Sequence, residues 1–101
     1  MSGPRYYRMD GTPYKDVLEW AREFEDFEKR VVGKMDLPSG IHISTVWFGF
    51  DHRFIGDGPP LIFETMVFSA AGESVDMERY STLDEARAGH DAMVEKWKAG
   101  A

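Results

Sequence analysis

The chain has 101 residues, no cysteine and a net charge of −6, and 43% of its residues are hydrophobic. This length predicts one domain over residues 1–101. The absence of cysteine excludes disulfides and thiolate metal sites. No apolar run approaches the roughly 20 residues that a membrane helix needs. The N-terminal residues lack the apolar core of a signal peptide, so we expect a cytoplasmic protein that does not contact a membrane. The acidic balance argues against binding to a nucleic-acid backbone.

The first predicted element is a helix over residues 14–32, which follows a turn at Asp10-Gly11 and is capped by Thr12. Gly33 is predicted to end it. Its apolar residues occupy an arc of roughly 180°, which is wider than contact with one sheet face needs. Either the helix is tucked between two surfaces, or part of it meets a partner. The second alternative makes three residues a candidate protein interface: Trp20, Phe24 and Phe27.

Two strongly apolar strands are predicted next, over residues 41–50 and 61–68. Both are apolar on both faces, because neighbours such as Trp47 and Phe48 point opposite ways along a strand. Such a sheet must be covered on two sides, either by helices on opposite faces or by a subunit interface, and we expect a homo-oligomer. With a short third strand over 75–80, the predicted fold is α+β, a three-stranded antiparallel sheet with an N-terminal and a C-terminal helix.

The C-terminal helix begins at a predicted capping box, in which Thr82 is the N-cap and Glu85 reaches back to it. Its apolar residues fall within about 100° of arc, with His90 near the centre. The arc consists of Leu83, Ala86, His90, Met93, Val94 and Trp97. Gly89 costs about 1 kcal/mol relative to alanine inside a helix, so its presence indicates close packing against a neighbour.

Two polar residues lie where apolar ones are expected. His90 is either a half-buried histidine bonded to the sheet or the wall of a pocket that binds a polar ligand. Glu64 lies in the middle of a strand, where a carboxylate needs a partner, and Arg79 on a neighbouring antiparallel strand can supply one. That pair is either a salt bridge that fixes the strand register or part of a binding site.

A third polar group, Asp51-His52-Arg53, precedes a glycine-rich connection whose backbone amides can approach a phosphate. A mobile hairpin tip is the alternative. The three histidines lack the spacing of a zinc site, and the serines lack the context of a nucleophile. We therefore predict no enzyme activity, no catalytic residue, no metal and no cofactor.

Residues 44–52 and 58–68 resemble the corresponding segments of a family of small phage and prophage proteins. The similarity extends to Arg79-Tyr80, Glu85-Ala86 and Gly89-His90, and near the N-terminus to Tyr6-Tyr7 and Glu19-Trp20-Ala21. This chain has Phe48 and Phe50 where the family usually has leucine, which changes packing more than chemistry. The resemblance implies a phage origin and a place of action in the cytoplasm of an infected bacterium, and by analogy a counter-defence role.

The first predicted function is non-enzymatic binding of a small polar ligand such as a signalling nucleotide. Trp47 would stack on a base, and arginines would meet phosphates. The predicted pocket residues are Trp47, Asp51, His52, Arg53, Glu64, Arg79 and His90. The alternative is a protein-binding inhibitor or modulator of a host factor, which would use the interface on the first helix.

Overall fold

The computed structural model describes residues 6–51 and 58–99. Within those ranges the chain forms an α+β domain in which a sheet is flanked by helical segments. The elements are α1 (Val17–Phe24), α2 (Phe27–Arg30), β1 (Val31–Asp36), β2 (His42–Trp47), β3 (Phe63–Phe68), β4 (Ser74–Tyr80) and α3 (Leu83–Ala99).

The sheet has four antiparallel strands in the order β1-β2-β3-β4, so consecutive strands are neighbours. Three of them correspond to the predicted strands, and β1 is an additional strand at the edge. The prediction of a three-stranded sheet is therefore wrong in strand number, although the α+β class is confirmed.

The predicted helix over residues 14–32 is wrong at both ends. Asp16 rather than Thr12 caps α1, because its carboxylate accepts the Leu18 N–H at 2.9 Å. The N–H and hydroxyl of Thr12 instead both donate to the Asp10 carboxylate, at 2.9 and 2.7 Å. Asp26 interrupts the helix and caps the single turn α2.

The residues predicted to finish the helix form strand β1. Val31 pairs with Val46, and Gly33 pairs with Thr45 instead of ending a helix. The apolar spacing continues the helical pattern, but β-branched Val31 and Val32 also suit a strand, and pairing with β2 decides between the two.

Burial alternates strictly along the two central strands. The buried side chains form one face of the sheet, and α3 packs across that face in contact with all four strands. This covered face consists of Ile43, Thr45 and Trp47 on β2 and Phe63, Thr65 and Val67 on β3. The opposite, open face consists of side chains that are half-buried or exposed. The described residues therefore do not show helices covering both faces of the sheet.

Helix α3 has the predicted capping box. The Glu85 N–H donates to the Thr82 hydroxyl at 3.0 Å, and the Glu85 carboxylate accepts the Thr82 N–H at 3.2 Å. The expected close packing at Gly89 is also present, since a Cβ atom there would lie 2.2 Å from the Tyr80 ring. No helix in the described ranges is long and apolar enough to cross a membrane.

Candidate functional site

The predicted pocket residues lie on opposite sides of the sheet. Trp47 and His90 lie on the covered face, whereas Glu64 and Arg79 lie on the open face, because Glu64 pairs with Val46 and neighbouring side chains alternate. The predicted residues His52 and Arg53 lie outside the described residues. Those that are described therefore do not line one pocket.

Glu64 and Arg79 form the cross-strand ion pair that the sequence suggested. They are direct partners in the β3–β4 register, and the Arg79 Nε–H donates to the Glu64 carboxylate at 3.0 Å. Only 18% of the Glu64 side chain is exposed. The contact accounts for a half-buried carboxylate in the middle of a strand without a ligand.

Asp51 has a structural contact as well. Its carboxylate accepts the backbone N–H of Leu61 at 3.0 Å. This bond joins the two ends of the connection between β2 and β3, so the half-buried side chain holds the exit of β2 against the approach to β3.

His90 ends a chain of hydroxyl groups under α3. The Tyr80 hydroxyl donates to Thr65 at 3.0 Å, the Thr65 and Thr45 hydroxyls are 2.6 Å apart, and Thr45 lies 2.7 Å from His90 Nδ1. In one arrangement, each hydroxyl donates its proton to the next group along the chain toward His90. His90 then accepts a hydrogen bond at Nδ1 and carries its own proton on Nε2. Burial lowers the pKa of His90, which agrees with this neutral form. His90 is thus part of the core.

A groove at the Trp47 end of the covered face is the best-formed concave site. It has a volume of about 300 Å³, and its lining is mostly apolar. Residues from the segment before α1, from both short helices and from β2 contribute to it. The lining residues are Arg8, Met9, Tyr14, Glu23, Lys29 and Trp47.

The segment before α1 reaches this groove because it is tied to the end of β2. Tyr7 and Pro13 pair across a turn, and the Trp47 indole N–H donates to the Tyr7 carbonyl at 2.9 Å. Tyr14 is consequently fixed beside Trp47, with ring centroids 6.4 Å apart. Both rings are nearly inaccessible and form the floor of the groove.

The polar groups of the groove are arranged around Tyr14. The Arg8 guanidinium lies 4.5 Å from the centre of the Tyr14 ring and also binds Glu19 at 3.1 Å. Burial, together with a hydrogen bond to Glu23, raises the pKa of Tyr14 to about 12, so its hydroxyl stays a neutral donor. Glu23 and Lys29 are exposed and stand at the rim.

The sequence identified only one member of this groove, Trp47. Tyr14, Glu23 and Lys29 fall within the single predicted helix over residues 14–32, and Arg8 belongs to no motif. The one local signal was the density of aromatic residues before α1. Because the groove forms by docking of that segment against β2, residue spacing could not reveal it.

The three candidate interface residues differ in exposure. Trp20 and Phe24 are half-buried in an aromatic cluster, with ring centroids 4.9 Å apart, and the Trp20 indole N–H donates to the Phe48 carbonyl at 3.0 Å. Phe27 on α2 is 58% exposed. Packing within the chain therefore explains the part of the arc that contains Trp20 and Phe24, whereas Phe27 stays exposed.

No family model, curated protein or solved structure matches this chain. The resemblance to phage proteins stays a prediction. In the described part of the chain, no group of three or more histidine, aspartate or glutamate side chains is placed to hold a metal ion.

Proposed function

We propose that this protein is a non-enzymatic binding protein whose ligand is a small anionic heterocycle, such as a signalling nucleotide. The observation that carries the proposal is the groove at Trp47. Within the described residues, it joins an apolar floor to a carboxylate acceptor and two cationic side chains.

The size of the groove limits the ligand. At about 300 Å³ it lies at the lower end of the range for ligand pockets, which suits a single base with one charged group. Trp47 is only 3% exposed, so the ligand would touch the edge of its ring and would not stack on its face. The expected stacking by Trp47 is thus replaced by edge contact at the floor.

Each polar group has a separate task in this proposal. The Glu23 carboxylate accepts N–H groups of the heterocycle, and the Lys29 ammonium meets the anionic group. The Arg8 charge is already balanced by Glu19 at 3.1 Å, whereas the Lys29 ammonium has only a longer contact, 3.9 Å, with the Asp26 carboxylate. Lys29 therefore supplies most of the attraction. Because Lys29 is exposed, salt will screen that attraction and weaken binding.

Calorimetric titration with a panel of mononucleotides and cyclic nucleotides tests this proposal. We expect at least one compound to bind more tightly than about 1 mM, and Lys29→Gln to weaken it about fivefold or more, the equivalent of roughly 1 kcal/mol. Lys98→Gln on α3 is the matched control, because it removes an exposed lysine that does not line the groove. Equal effects of the two variants, or no binding by any compound, would refute the groove as the site.

The proposed setting is an infected bacterium, and it is supported only by the resemblance to phage proteins. Capture of a signalling nucleotide there would be a counter-defence activity. Expression of the protein in bacteria that carry a nucleotide-signalled defence should then restore phage growth, and the Lys29→Gln variant should not.

A second candidate function, modulation of a host protein, is favoured by the exposed apolar side chains of α1 and α2. Val17, Leu18 and Phe27 are each about half exposed or more. If Phe27→Ala abolished an effect on a host factor and left nucleotide titration unchanged, this function would replace the first.

A further inference from the structure

The open face of the sheet is a second surface of the described residues, and the groove does not use it. Its side chains form three rows across the four strands, and a bulge between Val31 and Gly33 brings β1 into this register. The rows are Val31, Val46, Glu64 and Arg79; Lys34, Ser44, Met66 and Met77; Asp36, His42, Phe68 and Ser74.

The centre of this face is apolar apart from Ser44, and its charges lie on two adjacent sides. Val46, Met66 and Phe68 are half-buried, and Met77 is 41% exposed. Val31 lies at one corner of the face, where the first row meets strand β1. The row that starts at this corner ends in Glu64 and Arg79, a negative charge followed by a positive one. From the same corner, strand β1 carries Lys34 and Asp36, a positive charge followed by a negative one. The Asp36 carboxylate also bonds His42 Nδ1 at 2.6 Å, and its outward oxygen is the one that a partner can reach.

We infer that this open face binds the same face of a second copy of the chain, with the strands of the two sheets crossing at nearly a right angle. Orthogonal stacking is one of the two common ways in which sheets pack face to face. The face suits it because it is nearly square: three strand spacings and two side-chain repeats along a strand both span about 14 Å.

Charge complementarity identifies the second copy as the occupant. A two-fold axis along the diagonal from the Val31 corner exchanges the row of Glu64 and Arg79 with strand β1. Lys34 then lies over the partner's Glu64, and Asp36 lies over the partner's Arg79. The same rotation brings Met77 against the partner's Phe68. The same patch on both copies is thus complementary to itself, as an isologous interface requires.

The area of the face sets the expected strength. A patch of this size buries on the order of 400 Å² per copy, about half of what a standard stable interface buries. The dimer is therefore expected to be weak and reversible.

Sedimentation equilibrium from about 5 µM to about 1 mM measures this association. Met77→Lys should abolish it, because a charged lysine would replace the apolar contact between Met77 and the partner's Phe68. Met35→Lys is the matched control: Met35 is also a methionine on an edge strand, is 42% exposed and lies in register with Ile43 on the covered face. A wild-type protein that stays monomeric up to about 1 mM, or equal effects of the two lysine variants, overturns the inference.

The crossing angle has its own test. The double variant Lys34→Asp and Asp36→Lys exchanges the two charges of β1 and preserves the net charge. In the diagonal arrangement it places like charges over each other at all four symmetry-related contacts, so we expect about tenfold weaker association or more. Unchanged association would exclude this orientation. Circular dichroism of each variant verifies folding, and ligand titration stays independent because Trp47 points to the other face.

Discussion

The two faces of the sheet are built from the same strands but differ in how their side chains are packed. On the covered face, fully buried side chains such as Ile43, Phe63 and Val67 pack under α3. On the open face, half-buried apolar side chains are combined with the Glu64–Arg79 pair and with exposed Met77. The covered face supplies most of the stability of the single chain, whereas the open face keeps apolar side chains accessible. Four changes probe that division, from the largest expected effect to the smallest.

Truncation of a phenylalanine on each face of β3 gives the largest contrast. Phe63→Ala removes a fully buried ring from the covered face and should lower the free energy of unfolding by about 3–5 kcal/mol. Phe68→Ala removes a half-buried ring from the open face and should cost about 1 kcal/mol in the monomer. Urea denaturation at low protein concentration measures both. Similar costs would mean that the open face is also packed within the chain.

Substitution of Gly89 tests how closely α3 approaches the sheet. A Cβ atom at this position would overlap the Tyr80 ring, which is buried and hydrogen-bonded to Thr65. Although alanine is the better helix former, we expect Gly89→Ala to destabilise by about 1–3 kcal/mol. Thermal denaturation measures the change, and a stabilised variant would show that Tyr80 moves aside at little cost.

Protonation of His90 gives the covered face a pH dependence. Burial lowers the pKa of His90 in the folded chain, so between that value and the usual 6.5 the unfolded chain binds more protons. Stability should therefore be complete above about pH 6.5, fall as the pH decreases through this window and then level off. Thr45→Val, which removes the hydroxyl that donates to Nδ1, should alter the overall stability.

The control for this pH dependence is His90→Gln, in which the decline between the two pKa values should be absent. Asp76 titrates elsewhere, because hydrogen bonds from Lys96 and Trp97 lower its pKa below the usual 3.8. Its stabilising effect is lost only as the pH falls below that value. A decline in the His90→Gln variant equal to that of the wild type would assign the effect to another group.

The smallest expected effect is the coupling between Glu64 and Arg79 on the open face. A double-mutant cycle with Glu64→Gln and Arg79→Gln should give about 0.5–1 kcal/mol in the monomer, because both groups are partly exposed to water. The exposed Lys98–Glu95 pair on α3 is the control and should give a coupling near zero. A coupling of zero for both pairs would mean that Glu64 and Arg79 do not stabilise the register.

Local sequence patterns were sufficient to predict a feature where one interaction dominated. The strands at Trp47 and Phe63 are β-branched and aromatic almost throughout, and the Thr82–Glu85 capping box lies within one helical turn, so each was predictable. The partnership of Glu64 and Arg79 also followed from chemistry, because a carboxylate in the middle of a strand needs a cation nearby. The strands and the capping box depend on residues that are close in sequence, and the ion pair joins two consecutive strands.

Tertiary structure decided the features that depend on distant pairing. Val31 and Val32 fit a helix by spacing and a strand by shape, and contact with β2 selected the strand. Side-chain alternation placed Trp47 and Glu64 on opposite faces once the register was set, which separated the predicted pocket residues. The groove exists because the Trp47 indole binds the Tyr7 carbonyl, 40 residues away in sequence. The sequence by itself determined the element types with strong local signals, whereas long-range hydrogen bonds determined the strand number, the covered face and the site.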